Sequence, residues 1–259
     1  MLGSRVKHVK PAVRKPTALA AALVVALAAV PALAETDARS DVQLALVRYG
    51  GAWNPRPHGL ERLAWEVKKR TSIAIRLEVG AVDPATDELF SYPLLVWEGD
   101  RAFAPLPDAA VVRLRQYLTR GGTLLVDLSD GQVGGGFDAS VRRELARVLP
   151  AQPLERVSPN HVIYKSFYLL DRHGGRVQTR SFLEGLFVDE RLAVVLSAND
   201  LAGAMARDEF GQWEYDVGPG GEATRETTFR LGINILMYAL CLDYKEDQVH
   251  IPFILQRRR

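Results

Sequence analysis

The sequence contains one cysteine among 259 residues, and the absence of a second thiol excludes a disulfide within the chain. Cys241 lies in the apolar run GINILMYALCLDY, where the helical pattern predicts a buried thiol rather than a nucleophile. Histidine is scarce as well, with five in the chain. None of them has the short His-x-x-x-His type of spacing that zinc sites use, so we predict no metal site.

Recognisable catalytic motifs are also lacking. The hydroxyl nearest the end of a predicted strand belongs to Ser129, but LLVDLSDGQ does not carry the Gly-x-Ser-x-Gly pattern of a hydrolase elbow. The glycines 134–136 precede a helix without the Lys-Ser/Thr of a phosphate loop. They predict a flexible lid, or N–H groups exposed to an anion. The sequence therefore favours a protein without catalysis, and it indicates no cofactor.

Charge of one sign is not in excess either. The chain has 33 basic and 31 acidic residues, a net charge of +2. Five of the basic residues and none of the acidic ones fall within residues 1–34, so the rest of the chain has a net charge of about −3. This balance argues against the basic excess of nucleic-acid-binding proteins. Residues 257–259, all arginine, are interpreted as a solvated end or as a tether to an anionic envelope lipid or polymer.

The first 34 residues have the layout of a secretory signal peptide. A basic stretch is followed by the apolar run TALAAALVVALAAVPALA, which ends in the small-x-small pattern Ala32-Leu33-Ala34. We therefore predict export, to the periplasm or out of the cell, with residues 35–41 as a polar linker. The alternative is an uncleaved membrane anchor, because the apolar run is about as long as a thin membrane span.

Short apolar segments alternate with amphipathic ones along the rest of the chain. Continuous apolar strands are typical of a parallel sheet that helices cover on both faces. The sequence thus predicts a single α/β domain over residues 42–259. The predicted strands are 42–47, 72–79, 93–99, 123–128 and 191–197, and the predicted helices are 59–70, 108–122, 138–149 and 226–244.

Two regions have weaker patterns. The stretches 161–170 and 176–190 predict hairpins or an insertion, so residues 150–190 are interpreted as an insertion, a lid or a partner surface. The segment QVHIPFIL, residues 248–255, carries apolar residues at alternate positions, which predicts an added edge strand.

Unusual residues concentrate in three loops that each follow a predicted strand: RYGGAWNPRP (48–57), SDGQVGGGFD (129–138) and SANDLAGAMARDEFGQWEYD (197–216). Ligands bind beyond the carboxyl ends of the strands in an open parallel sheet. We therefore predict one ligand-binding cleft at this edge. Its candidate residues are Tyr49, Trp53, Asn54, Arg56, Asp130, Asn199, Asp200, Arg207, Asp208 and Trp213.

Each group also has a structural interpretation. The glycine pair of the first loop supplies positive φ angles in a tight turn. Trp53 and Trp213 are either buried caps over the sheet or flat platforms for a ligand. Arg56, between two prolines, presents its planar fork to a carboxylate or phosphate, or pairs with Asp208 to hold two loops together.

The acidic residues of these loops leave a second function open. An oxygen-rich site for a hard cation would use Asp127, Asp130, Asn199, Asp200 and Asp208, which alternatively serve as cap and turn residues. If Asp130 and Asp208 face each other across the cleft, they suit a carboxylate-based hydrolase of carbohydrate or cell-wall material, with or without a metal. This enzyme is the alternative to a binding module.

Long ordered motifs resemble a known family. RYGGAWNPRP, LAWEVKKRTSI, RGGTLLVDLSDG, GFDASVRRELARVLP, SFYLLD, SANDLAGAMARD and FRLGINILMYAL occur in this order. Together they resemble the bacterial family called "domain of unknown function 4159", over nearly all of the chain that follows the leader. The resemblance implies a class I glutamine amidotransferase-like fold, which is a flavodoxin-like α/β sandwich of three layers.

The resemblance also implies a setting. Members of the family are exported or membrane-attached, and their genes often accompany those of MoxR-type ATPases and von Willebrand factor A-type proteins. True amidotransferases place a Cys after the strand that here reads TLLVD, whereas Cys241 lies far away, so their Cys-His-Glu triad is absent. We therefore expect a module that binds a polar small molecule, a glycan or a partner protein.

Cleavage of the leader is directly testable. We expect the mature chain to begin at Glu35, because small residues at Ala32 and Ala34 fit the signal-peptidase pattern. Mass spectrometry of the protein expressed in bacteria would identify the first residue. Replacing Ala32 and Ala34 by Arg should leave the leader attached. A wild-type chain that keeps residues 1–34 would contradict cleavage and favour the anchor.

Overall fold

A computed structural model of the chain describes Gly3 and residues 41–256, and it describes side chains as far as Cys241. Within these residues seven strands form one sheet. They are β1 (Ala45–Val47), β2 (Gly80–Val82), β3 (Leu94–Gly99), β4 (Thr123–Leu128), β5 (Glu155–Arg156), β6 (Glu184–Val188) and β7 (Arg191–Ser197). The helices are α1 (Pro57–Arg70), α2 (Asp108–Thr119), α3 (Gly136–Val148), α4 (Leu201–Met205) and α5 (Gly221–Gln256).

The sheet is mainly parallel. Its strand order is β2-β1-β3-β4-β7-β6-β5. The first five strands in that order pair in parallel, whereas β6 and β5 are antiparallel additions beside β7. The prediction of an α/β protein with a mainly parallel sheet is therefore confirmed.

Helices cover both faces of the sheet, and strand side chains alternate between two apolar clusters. On β3, Leu95 and Trp97 pack with α2 and α3, while Leu94 and Val96 pack with α1, α4 and α5. Strands buried on both faces need apolar residues at every position, which explains their continuous apolar runs. Loops, rather than the two apolar clusters, occupy the carboxyl ends of the parallel strands.

Helices α1 and α4 approach each other closely beside this edge. A Cβ atom on Gly59 would lie 2.5 Å from the carbonyl oxygen of Ala202, so only glycine permits the contact. The close packing places the first residues of α4 against the end of loop 48–57.

The predicted strand at 72–79 is wrong. Ile75 makes only an isolated bridge to Val42, whereas the strand β2 begins when Gly80 pairs with Ala45. Between these two pairings the chain advances three residues from Val42 to Ala45 but five residues from Ile75 to Gly80. The two extra residues interrupt the ladder of hydrogen bonds between the strands. The apolar residues of this segment do not reveal such a bulge.

The predicted edge strand at 248–255 is also wrong, because α5 runs to Gln256. Once a helix has formed, each further residue adds a hydrogen bond, and this outweighs a short alternating pattern. Cys241 is exposed on α5, so the prediction of a buried thiol is wrong as well. The stretch 161–170 contains one short 3-10 helix at Val162–Tyr164 rather than a hairpin.

Among the described residues, no helix combines the length and the apolar character that a bilayer span requires. The predicted signal peptide, linker and arginine tail lie outside the described residues, apart from Gly3 and Asp41.

Candidate functional site

The three loops meet at the carboxyl edge of the sheet, and Arg56 connects them. Its side chain reaches from loop 48–57 to the carboxylate of Asp200, with hydrogen bonds of 2.8 to 3.2 Å. The same guanidinium donates to the carbonyl oxygen of Ser129 at 2.8 Å. One side chain therefore fastens the loops after β1, β4 and β7 to each other.

Asp200 is fully buried, and its carboxylate has several partners. It accepts a hydrogen bond from the amide of Gly203 at 2.9 Å as the N-cap of α4. Arg176 binds the same carboxylate. Both arginines lie over the ring of Tyr215, with guanidinium carbons 4.3 Å (Arg56) and 5.9 Å (Arg176) from its centre. We call Arg56, Arg176 and Tyr215 the Tyr215 clamp.

The geometry decides between the two interpretations of Arg56. Its partner is Asp200 and not Asp208, so the predicted pair with Asp208 is wrong. The Arg56 nitrogens bond to Asp200, Ser129 and the carbonyl of Pro55. Burial alone would lower the pKa of Arg56, but the hydrogen bonds and charge of Asp200 raise it above its ordinary value. Arg56 is therefore a permanently charged tie between loops.

Two buried carboxyl groups lie side by side beneath this tie. Glu98 on β3 is directly opposite Asp127 on β4, and both are almost fully buried. Asp127 accepts hydrogen bonds of 2.9 Å from the amides of Leu201 and Ala202 at the start of α4. Neither carboxyl oxygen of Glu98 has a hydrogen-bond partner in the described structure.

The environment disfavours the charged form of both groups. Burial, with the negative charge of Asp200, raises the pKa of Asp127 to about 7. Burial raises the pKa of Glu98 well above its ordinary value, and the neighbouring charge of Asp127 adds to the effect. These shifts favour the protonated form of Glu98, which shares its surroundings with the ionisable Asp127.

Two further buried polar atoms at this edge have no partner among the described residues. They are the amide oxygen of Asn54 and the hydroxyl of Ser129. Buried polar groups in folded proteins are nearly always hydrogen-bonded, so exceptions mark strain, function or a site for ordered water. The edge thus concentrates unsatisfied oxygen atoms beneath loop 48–57.

The aromatic residues of loop 48–57 pack against the protein. Tyr49 is buried in a ring cluster with Trp97, Phe103 and Phe137, and its hydroxyl donates to the carbonyl of Glu98 at 3.1 Å. Trp53 is half-buried and touches both apolar clusters. The glycines of this loop do not have positive φ angles, so that structural prediction is wrong. A side chain at Gly51 would instead collide with the Tyr49 ring.

The other predicted residues stabilise their own loops. The Asp130 carboxylate accepts from the amide of Gln132 at 3.0 Å and forms a turn. The Asn199 amide group binds the carbonyls of Gly174 and Arg180, at 3.1 and 2.8 Å. Asn199 directly precedes Asp200 and so lies beside the Arg56 tie, whereas Asp130 stabilises the loop after β4. Ligand contact by either residue stays a prediction.

Residues 207–213 form a small hairpin. Arg207 pairs with Trp213 across it, and the Asp208 carboxylate accepts from the amides of Phe210 and Gln212. The Trp213 ring has the guanidinium carbons of Arg207 and Arg225 at 3.7 and 4.0 Å. Phe210 at the tip is 80% exposed. The hairpin therefore presents an aromatic side chain to solvent on a well-bonded base.

No group of three His, Cys, Asp or Glu side chains within the described residues is arranged to hold a metal ion. The carboxylates near the tie are already engaged by arginines and amides, except Glu98. The polar contacts around Arg56 therefore hold the loops in place.

Sequence reasoning missed Glu98, Arg176, Tyr215 and Phe210. Glu98 ends a buried apolar strand, and an acidic residue at such a position is an available signal. Arg176 and Tyr215 lie in segments without regular structure, and only the tertiary fold brings them to Asp200.

A family model described as "Domain of unknown function (DUF4159)" matches residues 43–240. The matched range includes all three loops and both carboxyl-bearing strands. It confirms the resemblance carried by the motifs quoted above. A comparison with curated proteins gave no match.

Loss of the tie is expected to destabilise the protein. Arg56→Gln leaves the buried Asp200 carboxylate with one arginine, and removing one partner of a buried ion pair destabilises by about 3 kcal/mol. Urea unfolding of the variant measures this loss. Arg101→Gln, which removes an exposed pair with Asp100, should leave the stability close to that of wild type. Equal effects of the two substitutions would contradict the assignment.

Glu98→Gln is expected to stabilise the protein at neutral pH. Because the pKa of Glu98 is raised in the folded state, the unfolded chain ionises first as pH rises, and wild-type stability falls above the ordinary glutamate pKa. The variant should be more stable than wild type at pH 7, and its melting temperature should depend less on pH above the ordinary glutamate pKa.

The control for this substitution is Glu66→Gln. Glu66 is buried as well, but its carboxylate pairs with Arg62 and Arg70, so its replacement should lower stability at pH 7. Thermal melting of both variants across the pH series separates the two cases. A Glu98→Gln variant that is less stable than wild type at pH 7 would refute the raised pKa of Glu98.

Proposed function

The chain belongs to the family described as "Domain of unknown function (DUF4159)", and from its geometry we propose that it is an exported, non-catalytic module that binds a partner protein or a polar ligand. The observation that carries this proposal is the convergence of three loops on Arg56. The tie holds them in one surface at the carboxyl edge, where open α/β sheets bind ligands.

The strand order supports a finer description of the fold. Numbered along the chain, the five parallel strands lie in the order 2-1-3-4-5, which is that of flavodoxin-like sheets. We therefore propose a flavodoxin-like sandwich of the class I glutamine amidotransferase type. The strand order reverses between β1 and β3, so the crevice of such a sheet lies beneath loop 48–57.

A binding role is favoured over catalysis because the polar groups of the loops bond within the protein. Arg56, Asp200 and Asp208 bond within the protein, and no Cys follows β4, where amidotransferases carry their nucleophile. The surface left to a partner is the hairpin tip with Phe210. Exposed aromatic side chains on a fixed base are frequent anchors of protein interfaces.

A carboxylate-based hydrolase of carbohydrate or cell-wall material is the second candidate. Burial raises the pKa of Asp130, as expected for a general acid. Asp208 fits the role of its partner less well, because two amides of its own hairpin bind its carboxylate.

The proposed setting is the cell envelope. The signal-peptide pattern supports export, and the family resemblance supports an assembly with MoxR-type ATPases and von Willebrand factor A-type proteins. We propose a von Willebrand factor A-type protein as the partner of the loop surface, because such a protein can share the exported compartment.

The proposal predicts a contact through Phe210. Purified protein from Glu35 onward should bind a von Willebrand factor A-type protein from the same organism, as measured by biolayer interferometry. Phe210→Ser should weaken binding tenfold or more if Phe210 is an anchor of the interface. Leu169→Ser is the control, because Leu169 is 85% exposed and lies outside the three loops. Absence of binding, or equal loss in both variants, would refute this partner surface.

A further inference from the structure

Among the described side chains, three aromatic rings each carry two arginines. The first is Tyr215, in the clamp described above, and the second is Trp213, with Arg207 and Arg225. The third is Phe182. Its ring centre lies 4.6 Å from the guanidinium carbon of Arg156 and 5.2 Å from that of Arg180. We call these three residues the Phe182 clamp.

The first two arrangements contain a carboxylate of the protein itself. In the Tyr215 clamp both arginines bind Asp200. In the second arrangement Arg225 bonds to Glu222 at 2.9 Å. Two guanidinium groups on one ring repel each other unless an anion lies between or beside them, and these carboxylates supply it.

The Phe182 clamp has no such anion. Across residues 41–241, neither Arg156 nor Arg180 forms an ion pair or a side-chain hydrogen bond. Glu184, which lies opposite Arg156 across the two strands, is bound by Arg142 at 2.7 Å. We propose that the Phe182 clamp binds an oxyanion, a carboxylate or phosphate group, that belongs to a ligand.

The geometry suits one such group. The two distances to the ring centre place the guanidinium carbons no more than about 10 Å apart. Arginine side chains are long and flexible, so both planar forks can turn toward one tetrahedral or planar oxyanion beside the ring. The Tyr215 clamp, with similar ring distances, shows that this protein holds a carboxylate in the same way.

The backbone holds the clamp in place. The amide of Arg180 donates to the Asn199 side chain at 2.9 Å, and that side chain donates back to the Arg180 carbonyl. Arg156 lies on β5, where its backbone pairs with that of Glu184. Fixed bases reduce the entropy lost when the two side chains close on an anion.

The clamp gives the region 150–190 a function separate from the loop surface. It does not use Phe210 or the hairpin, so failure of the proposed partner contact leaves the clamp intact. The clamp also has an exposed member, Arg156, so a ligand can reach it.

The test is a calorimetric titration of the purified protein at low ionic strength. Citrate is the carboxylate probe and inorganic phosphate is the phosphate probe. A titration with chloride at matched ionic strength is the reference. We expect saturable binding of at least one probe, and the tighter probe names the oxyanion. The double variant Arg156→Gln/Arg180→Gln should bind at least tenfold more weakly.

Arg120→Gln is the matched control. Arg120 lies 5.7 Å from the centre of the Phe90 ring, so it resembles one half of the clamp without a second arginine. Its replacement should leave the affinity within a factor of two of wild type. The inference is overturned if neither probe shows saturable binding up to about 50 mM. It is also overturned if the double variant, folded by circular dichroism, binds like wild type.

Discussion

The ion pair between Arg56 and Asp200 is the constraint on which the functional edge depends. The two residues lie 144 positions apart in the chain, and the pair is nearly shielded from water. A buried ion pair is a weak source of stability, because desolvation offsets much of the attraction. The pair does, however, restrict the positions of both residues, because displacement of one would leave the other charge buried without a partner. Three loops therefore share one arrangement.

The same constraint explains the use of the other polar residues. Asp200 caps α4, and Asp127 binds the amides at the start of the same helix. The first turn of α4 is thus held by two carboxylates, which suits the positive end of a helix. Glu98 is the exception, because burial and the negative charges of Asp127 and Asp200 raise its pKa and disfavour its charged form.

Pairs of arginines on aromatic rings recur on this protein, and their differences are informative. A ring provides a flat surface that attracts a guanidinium group, but it cannot neutralise two of them. Where the protein supplies a carboxylate, as at Tyr215, the arrangement ties segments together. Where residues 41–241 supply none, as at Phe182, the positive charge is available to other molecules. One local arrangement thus serves structure in one place and binding in another.

Local sequence patterns are sufficient to predict the α/β class, the family and the position of the unusual loops. Apolar runs predicted β3, β4 and β7, and each loop follows its strand directly. Chain-local patterns failed at β2, where a bulge interrupts pairing, and at residues 248–255, where α5 continues.

The contacts between side chains from distant segments depend on the tertiary fold. Arg56 binds Asp200 rather than Asp208, because α4 begins at the end of β7 beside loop 48–57 while Asp208 lies within its own hairpin. Glu98 faces Asp127 because of the register between β3 and β4. Phe182 receives its two arginines from separate segments. Such contacts depend on strand register and packing between distant parts of the chain, and no local pattern encodes them.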